Sequence, residues 1–535
     1  MMKVLVPEKI AKEALDTLRD KGFVVAETVG QSQAELAAII GDYDALIVRS
    51  ATKVNRDLLA GADRLKIVGR AGTGVDNIDI PACTEKGIAV VNTPDANTNA
   101  AAELAIGLAF AVYRNIALAN WKSREGDFRR SMMAGNELQG QTLGLIGFGR
   151  IAQNVARKMQ ALGMTVMAYD PFMTKERIED FGVRYCQTLA ELLPEVDLLS
   201  LHTPKTKETI NMIGEKELSL CKKGVRLVNA ARGGLVDEEA LYRALVSGQV
   251  AAAAMDVLAS EPNFTLSPGE QTFSHPLLEL DNFVYTPHLG ASTAEASARV
   301  GFGVTDLIAR GLAGEVVPAI NMPAISGSAD EMRPFIKLAE KLGSIYFQTE
   351  QSAVSRIETV FSGSLAQAEQ GLLTLSVLKG FLQPISENRI NFVNVSQNVK
   401  EMGVVVTSRN EKKLERFDNM ITVHYTQTDG KKLTVSGTVL ASDIEMLVDF
   451  FGYKVDFPLR HHMLAIQNED VPGVIGQVGT VLGNHHINIV NLNWVSKEGK
   501  QRAQAFIAVE TEVDDAVVAE ISALPGVLRV SRMDF

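Results

Sequence analysis

A glycine-rich turn offers the first place where chemistry could happen. The run Leu143-Gly-Leu-Ile-Gly-Phe-Gly-Arg-Ile-Ala sets Gly147, Gly149 and Ala152 in the spacing G-x-G-x-x-[G/A]. An apolar run precedes it, a helix-like run follows, and Asp170 closes the next β-rich run, 21 residues beyond Gly149. A dinucleotide pyrophosphate needs this context: one glycine for the tight turn, a second so the backbone can approach, and a small residue to keep helix and strand close. The helix N-terminus adds N–H donors and a partial positive charge. Asp170 suits the adenosine ribose hydroxyls, and its charge repels a 2′-phosphate. Pro171-Phe172 brings no arginine to offset that repulsion. NAD rather than NADP is the expected cofactor. A glycine turn in an ordinary α/β domain is the plainer reading, and the strand–loop–helix–strand–Asp context weighs against it.

Three further side chains follow strand-like runs. Arg232 lies in Val228-Asn-Ala-Ala-Arg-Gly-Gly, Glu261 in Asp256-Val-Leu-Ala-Ser-Glu-Pro, and His288 in Tyr285-Thr-Pro-His-Leu-Gly. Strand carboxyl ends are where sites form in open α/β sheets. Reversible oxidation of a secondary alcohol by NAD needs a general base, a cation for the substrate carboxylate and a group that sets the base's pKa. Histidine titrates near neutrality, and a neighbouring carboxylate raises its pKa and fixes the ring. Singly, the three residues read as a surface arginine, a turn glutamate and a capping histidine.

The elements that position them come in two alternating series. Val4–Val6, Phe23–Val25, Ala45–Val48, Lys66–Val68 and Ile88–Val91 are candidate strands with helical stretches between them. A helix from about Thr98 to Asn120, N-capped by Asn97, opens the second series. Its strands are Leu143–Ile146, Val166–Ala168, Leu198–Leu201, Arg226–Asn229, Ala252–Met255 and Phe283–Tyr285. The alternation predicts α/β architecture with two Rossmann-like parallel sheets. After Val317-Pro318 the rhythm changes to α+β, with a hairpin signal at Thr428-Asp-Gly-Lys between Ile421–Tyr425 and Leu433–Val439. The last stretch reads β, α, β, β, α, β over 463–532, which is ferredoxin-like.

Bulk properties bound the function. A chain of 535 residues holds several cores. The net charge of −11 argues against nucleic acid as a partner. Cys83, Cys186 and Cys221 form no metal-binding or disulfide pattern and suit a reducing cytoplasm. The first residues read as a strand and not a signal peptide. The apolar stretch Ala100 to Tyr113 contains Glu103 and is too short to span a bilayer, so no membrane partner is expected.

The segments around Arg232, Glu261 and His288 resemble the D-isomer-specific 2-hydroxyacid dehydrogenase family over about residues 1–320. The resemblance implies His288 as acid/base, Glu261 as its partner, and Arg232 as anchor for carboxylate and carbonyl. It carries NAD contacts to Thr73, Arg150, Ile151, Asp170, Thr203, Ala230 and Asp256. It also implies a discontinuous first domain, 1–97 with 289–318, around a cofactor domain at 98–288. The stretch Asn263–Ser274 is longer than the family pattern.

Ile47-Val-Arg-Ser-Ala-Thr-Lys-Val and Val68-Gly-Arg-Ala-Gly-Thr-Gly-Val-Asp-Asn-Ile-Asp resemble the long-form branch that oxidises 3-phosphoglycerate. A small anionic phosphorylated substrate needs extra donors. Arg49, Ser50 and Lys53 lie just past a strand, and Arg70, Ala71 and Gly72 form a second loop. The branch implies a homodimer or homotetramer, with a partner-subunit loop near Phe128, Arg129 and Arg130. Sister dehydrogenases for glyoxylate, hydroxypyruvate or D-lactate, and a non-enzymatic NAD-sensing regulator, are the competing readings.

Two C-terminal units complete the branch pattern. Residues 319–456 resemble its intervening domain. Their basic residues Arg389, Lys400, Arg409, Lys412, Lys413 and Arg416 form either an anion site or, more plainly, a solvated face. Residues 457–535 resemble the ACT domain through Leu464-Ala-Ile-Gln-Asn-Glu-Asp-Val-Pro-Gly and Ile487-Asn-Ile. That implies an effector held by Asn468, Asp470 and Asn488 between paired domains. L-serine, the end product of the implied pathway, is the expected effector.

Overall fold

The computed structural model describes residues 1–535 apart from 265, 268, 324–328, 368–369, 387–389, 412–413, 415, 442 and 497–500. Short apolar runs between helices give a first parallel sheet. Its strands lie in the order Val24–Glu27, Lys3–Val6, Ala45–Val48, Ile67–Arg70, Ala89–Asn92. Ala45–Val48 is buried throughout, as a central strand covered on both faces must be. The helix Ala294–Leu312 returns to this sheet from beyond the second one. It packs so closely on Ile67–Arg70 that a Cβ at Gly69 would stand 2.6 Å from Val304 Cγ2. The chain stays with this sheet past Pro318. Ile320 N–H donates to the Val90 carbonyl (2.7 Å), and Asn321 bridges Val90 N–H and the Ile88 carbonyl.

The second sheet is also parallel, in the order Phe283–Tyr285, Val250–Met255, Val225–Asn229, Leu198–Leu201, Thr142–Ile146, Thr165–Tyr169, Arg184–Cys186. Strand order reverses between Thr142–Ile146 and Leu198–Leu201, which opens a crevice at their carboxyl ends. The single helix expected from Thr98 to Asn120 is two, Thr98–Arg114 and Ile116–Arg124, bent by 63°. Asn115 makes the bend at φ 50°, a left-handed conformation asparagine tolerates, and its amide donates to the Ala134 carbonyl (2.9 Å). Asn97 opens the first helix without capping it by its side chain, which accepts from Thr73 Oγ1 instead. Among the described residues no single helix is long and apolar enough to cross a membrane. The bent pair passes by length and composition, but the apolar face of Thr98–Arg114 is buried in the core of the second sheet.

The third sheet is mixed. Val405–Glu411 runs parallel to Val354–Gly363, followed by antiparallel Asn419–Gln427, Lys432–Leu440, Ile444–Phe450 and Tyr453–Pro458. The expected hairpin is there, turning through Gly430 at φ 87°. Of the basic residues singled out, Arg409 pairs with Glu358 and Glu411, and Arg416 pairs with Asp456. Arg389, Lys412 and Lys413 lie outside the described residues. Asn391 ties this unit to the first sheet by donating to the Gly87 carbonyl (2.6 Å).

The fourth sheet is antiparallel, ordered Ile489–Ser496, Arg502–Val509, His462–Glu469, Val527–Asp534. Helices Val474–Asn484 and Asp515–Ser522 share its core on one face. Met463, Ala465, Phe506 and Met533 on the other face join the core of the third sheet. This is the β, α, β, β, α, β order expected of a ferredoxin-like unit.

Candidate active site

Gly147 sits at φ 84°, where a Cβ would stand 2.8 Å from the His202 carbonyl oxygen and from Thr203 Cγ2. Only glycine makes that turn. A Cβ at Gly149 would meet nothing within 4 Å, so the space before the helix Arg150–Ala161 is open to a phosphate. Ala152 is fully buried against the sheet, and Ile151 packs beside it. Asp170 receives N–H donations from Phe148 (2.8 Å), Phe172 (2.8 Å) and Met173 (3.2 Å), which hold its carboxylate at the end of Thr165–Tyr169. Thr203 and Ala230 follow the neighbouring strands, partly buried at the same sheet end. These residues fit a dinucleotide.

His288 and Glu261 meet on the loops that follow two neighbouring strands of the second sheet. His288 Nδ1 lies 3.0 Å from Glu261 Oε1, with both side chains partly exposed, so Nε2 is the ring nitrogen that Glu261 does not engage. Phe264, from the longer stretch Asn263–Ser274, stands edge-on to the histidine ring at 6.5 Å. Residues 265 and 268 of that stretch lie outside the described residues. His288 has φ 55°, a left-handed conformation costing a non-glycine residue about 1–2 kcal/mol.

Asp256 holds that conformation. Its carboxylate accepts from Thr286 Oγ1 (2.5 Å), Leu289 N–H (2.7 Å) and Gly290 N–H (2.9 Å), while its carbonyl accepts from His288 N–H (2.9 Å). Asp256 is 1% exposed, and burial pushes its carboxyl pKa up despite these bonds. Expected as a cofactor contact, it is placed as the support of the histidine loop.

Arg49 and Arg232 lie near Arg70, and Arg232 follows the strand next to the one that precedes Glu261. Arg232 Nη1 donates to the Ala231 carbonyl (2.7 Å) and its Nε donates to Asp76 Oδ2 (3.1 Å). Arg70 is partly buried, with its Nε among the buried polar atoms that have no hydrogen-bond partner. Burial, with Arg49 and Arg232 nearby, brings its pKa down to about 10 against the pull of Glu8 and Asp76. Arg49 is partly buried and Ser50 exposed at the tip of the same loop. Ala71 and Gly72 shape the Arg70 loop and do not offer free donors. Ala71 N–H goes to the Val48 carbonyl (2.8 Å), and Gly72 N–H to Thr93 Oγ1 (3.1 Å).

Two residues that sequence reasoning missed hold the Arg49 loop. Glu8 accepts from the N–H groups of Arg49 (2.9 Å), Ala51 (3.1 Å) and Thr52 (3.0 Å). Asn77 donates to the carbonyls of Arg49 (2.8 Å) and Thr52 (2.6 Å). The only local signal was a polar residue next to a loop, which is common. A cationic cleft beside a His–carboxylate pair and a dinucleotide turn is equipped to oxidise an anionic hydroxy acid.

Residues 106–290 match the model of the D-isomer specific 2-hydroxyacid dehydrogenase NAD binding domain. Residues 331–450 match the D-3-phosphoglycerate dehydrogenase intervening domain and 462–526 the ACT domain. A D-3-phosphoglycerate dehydrogenase of Archaeoglobus fulgidus is 41% identical, over 98% of this chain and 99% of its own. One of Bacillus subtilis is 37% identical over the whole of both chains. The chain belongs to the D-isomer-specific 2-hydroxyacid dehydrogenase family.

Solved structures agree over the first two sheets of this dehydrogenase. A Thermus thermophilus protein superimposes with TM-score 0.54 at 34% identity, covering 59% of this chain and 99% of its own. A glyoxylate reductase of Paecilomyes thermophila gives 0.53 at 29%, covering 60% and 98%. The dehydrogenase thus carries an NAD-binding domain for a small-molecule substrate and an ACT domain for a small-molecule effector.

The effector candidates do not meet within one chain. Asn468 is buried, donates to the Glu469 carbonyl (2.6 Å) and has an Oδ1 with no partner. Asp470 follows the same strand end and lines a cavity of about 840 Å³ between the third and fourth sheets. Asn488 is exposed at the opposite end, where Ile489 pairs with Val509 and Val509 with His462. A site built from all three requires a second copy of the ACT domain.

Proposed function

We propose that the protein oxidises D-3-phosphoglycerate to 3-phosphohydroxypyruvate, the step that opens L-serine biosynthesis. The clustering of Arg49 and Arg70 with Arg232, which follows the strand next to the one that precedes Glu261, carries this reading. Arg232 takes the substrate carboxylate and Arg49, with Ser50, the phosphate, while Arg70 adds charge to the floor of the cleft. When bound, NAD accepts the hydride from the substrate carbon. His288 Nε2 takes the hydroxyl proton, and Glu261 on Nδ1 stabilises the imidazolium that results. Asp256 keeps the ring in place, and Gly147, Gly149, Arg150 and Ile151 form the cradle for the pyrophosphate. Asp170 favours NAD over NADP by repelling a 2′-phosphate.

The units divide as 1–97 with 289–318 for substrate, 98–288 for NAD, 319–456 intervening and 457–535 regulatory. The exposed Ile116, Trp121, Phe128 and Met132 beside the cofactor unit suit pairing of two copies, as a homodimer or within a homotetramer. Serine is the proposed effector, bound where Asn468 and Asp470 of one ACT domain face Asn488 of another. Three buried free cysteines suit a cytoplasmic setting. Initial rates with D-3-phosphoglycerate, D-glycerate and D-lactate, each with NAD and NADP, test the reading. Preference for an unphosphorylated acid would overturn the substrate, and equal use of NADP the cofactor.

A further inference from the structure

Asp76 occupies the arginine expected to meet the substrate. It lies on the loop after Ile67–Arg70, in the substrate-side unit, while Arg232 follows Val225–Asn229 in the cofactor unit. Their ion pair crosses the cleft at 3.1 Å. A carboxylate on a guanidinium is also the contact that a 2-hydroxy acid would make there. Arg150 shows the same pattern, pairing with Asp95 from the substrate side at 2.5 Å.

Asp76 is not needed to aim Arg232. The Ala231 carbonyl accepts from Nη1, and Asn229 Nδ2 donates to the Arg232 carbonyl (2.9 Å). Gly74 lets the guanidinium lie against the backbone, since a Cβ there would stand 2.0 Å from Nη2. Asp76 itself is 64% exposed, so its carboxylate can swing into solvent without leaving a buried charge.

We infer that Asp76 is a built-in stand-in for the substrate carboxylate, one that the incoming 2-hydroxy acid displaces from Arg232. The inference rests on the reading that Arg232 receives that carboxylate. Asp76 then sets a threshold and not a preference: it weakens every carboxylate by the same factor, so an acid needs further contacts, such as those to a phosphate, to bind well. It also keeps Arg232 charge-balanced when the cleft holds no acid.

The test is isothermal titration of the full-length protein loaded with NADH, a combination that cannot turn over D-3-phosphoglycerate. Asp76→Asn should tighten D-3-phosphoglycerate about two- to five-fold at low salt, the range that an exposed ion pair commands. The gain should shrink as salt rises. D-lactate carries the same carboxylate without the phosphate, so it should gain by the same factor. Weaker or unchanged binding of both acids in Asp76→Asn would overturn the exchange. Arg232→Gln separates the two failures. If it leaves both affinities unchanged, the role of Arg232 itself is wrong. If it weakens them while Asp76→Asn tightens neither, only the stand-in is wrong.

Discussion

Replacing Asp256 with asparagine tests how the histidine is held. The carboxylate accepts from Thr286, Leu289 and Gly290 and, among the described contacts, is the only charged acceptor for that loop's backbone N–H groups. Hydrogen bonds to a charged group contribute about 1.5–3 kcal/mol each. Asparagine accepts through one oxygen, and its amide turns two hydrogens toward at least one of these donors. The loop loses at least one charged bond and leaves a buried N–H facing another donor. A loss of about 2–3 kcal/mol exceeds or matches the strain of about 1–2 kcal/mol at His288, so the ring should leave its productive place. At about 1.4 kcal/mol per tenfold, kcat should fall roughly 10–100-fold. Steady-state NADH formation measures it, alongside NAD affinity, which should change little. A kcat within about two-fold of the parent would refute the argument, because such a change is worth under about 0.5 kcal/mol. The pH dependence has a definite sign. Burial raises the Asp256 pKa, so the group's contribution to stability is fullest below the ordinary carboxylate range and is lost as pH rises through the shifted value. The melting-temperature gap between parent and Asp256→Asn should therefore be widest at acid pH and narrow toward neutrality.

Other outcomes follow from the same geometry. Arg49→Ala should raise the KM for D-3-phosphoglycerate about 10–100-fold while barely changing that for D-glycerate, and equal changes would remove Arg49 from the phosphate. Asp170→Ala should weaken NAD and narrow its margin over NADP in comparative titrations, and an unchanged margin would refute the repulsion argument. L-serine should inhibit the parent in rate assays and inhibit Asp470→Ala less. Inhibition that persists unchanged in the variant would place the effector elsewhere.

What could be read from the sequence was what repeats locally. Strand–helix alternation and the spacing of Gly147, Gly149, Ala152 and Asp170 are short-range, and both parallel sheets and the open cradle follow from them. The ferredoxin-like order was legible for the same reason. The kink at Asn115 was not, because asparagine enters the left-handed region without the glycine or proline that usually marks a break. The supports of the cleft were hidden by distance along the chain. Glu8 reaches the Arg49 loop from 41–44 residues away, and Asp76 reaches Arg232 from 156 away. No local pattern marks such a carboxylate as different from a solvated one. Asp256 could be picked out beside its strand, but the direction of its side chain depends on a loop some thirty residues later.

The way the chain leaves the first sheet has a consequence for solubility. Ala89–Asn92 is the last strand of that sheet, and its outer edge carries a free N–H at Val90 and carbonyls at Ile88 and Val90. Ile320 and Asn321 satisfy all three. An uncovered strand edge is a template on which another chain can add a strand. The segment joining the dehydrogenase to its regulatory half therefore also works as an edge cover. A dehydrogenase fragment cut at Pro318 would keep every proposed catalytic group yet present this bare edge to its neighbours, whereas one that retains Asn321 would keep it closed.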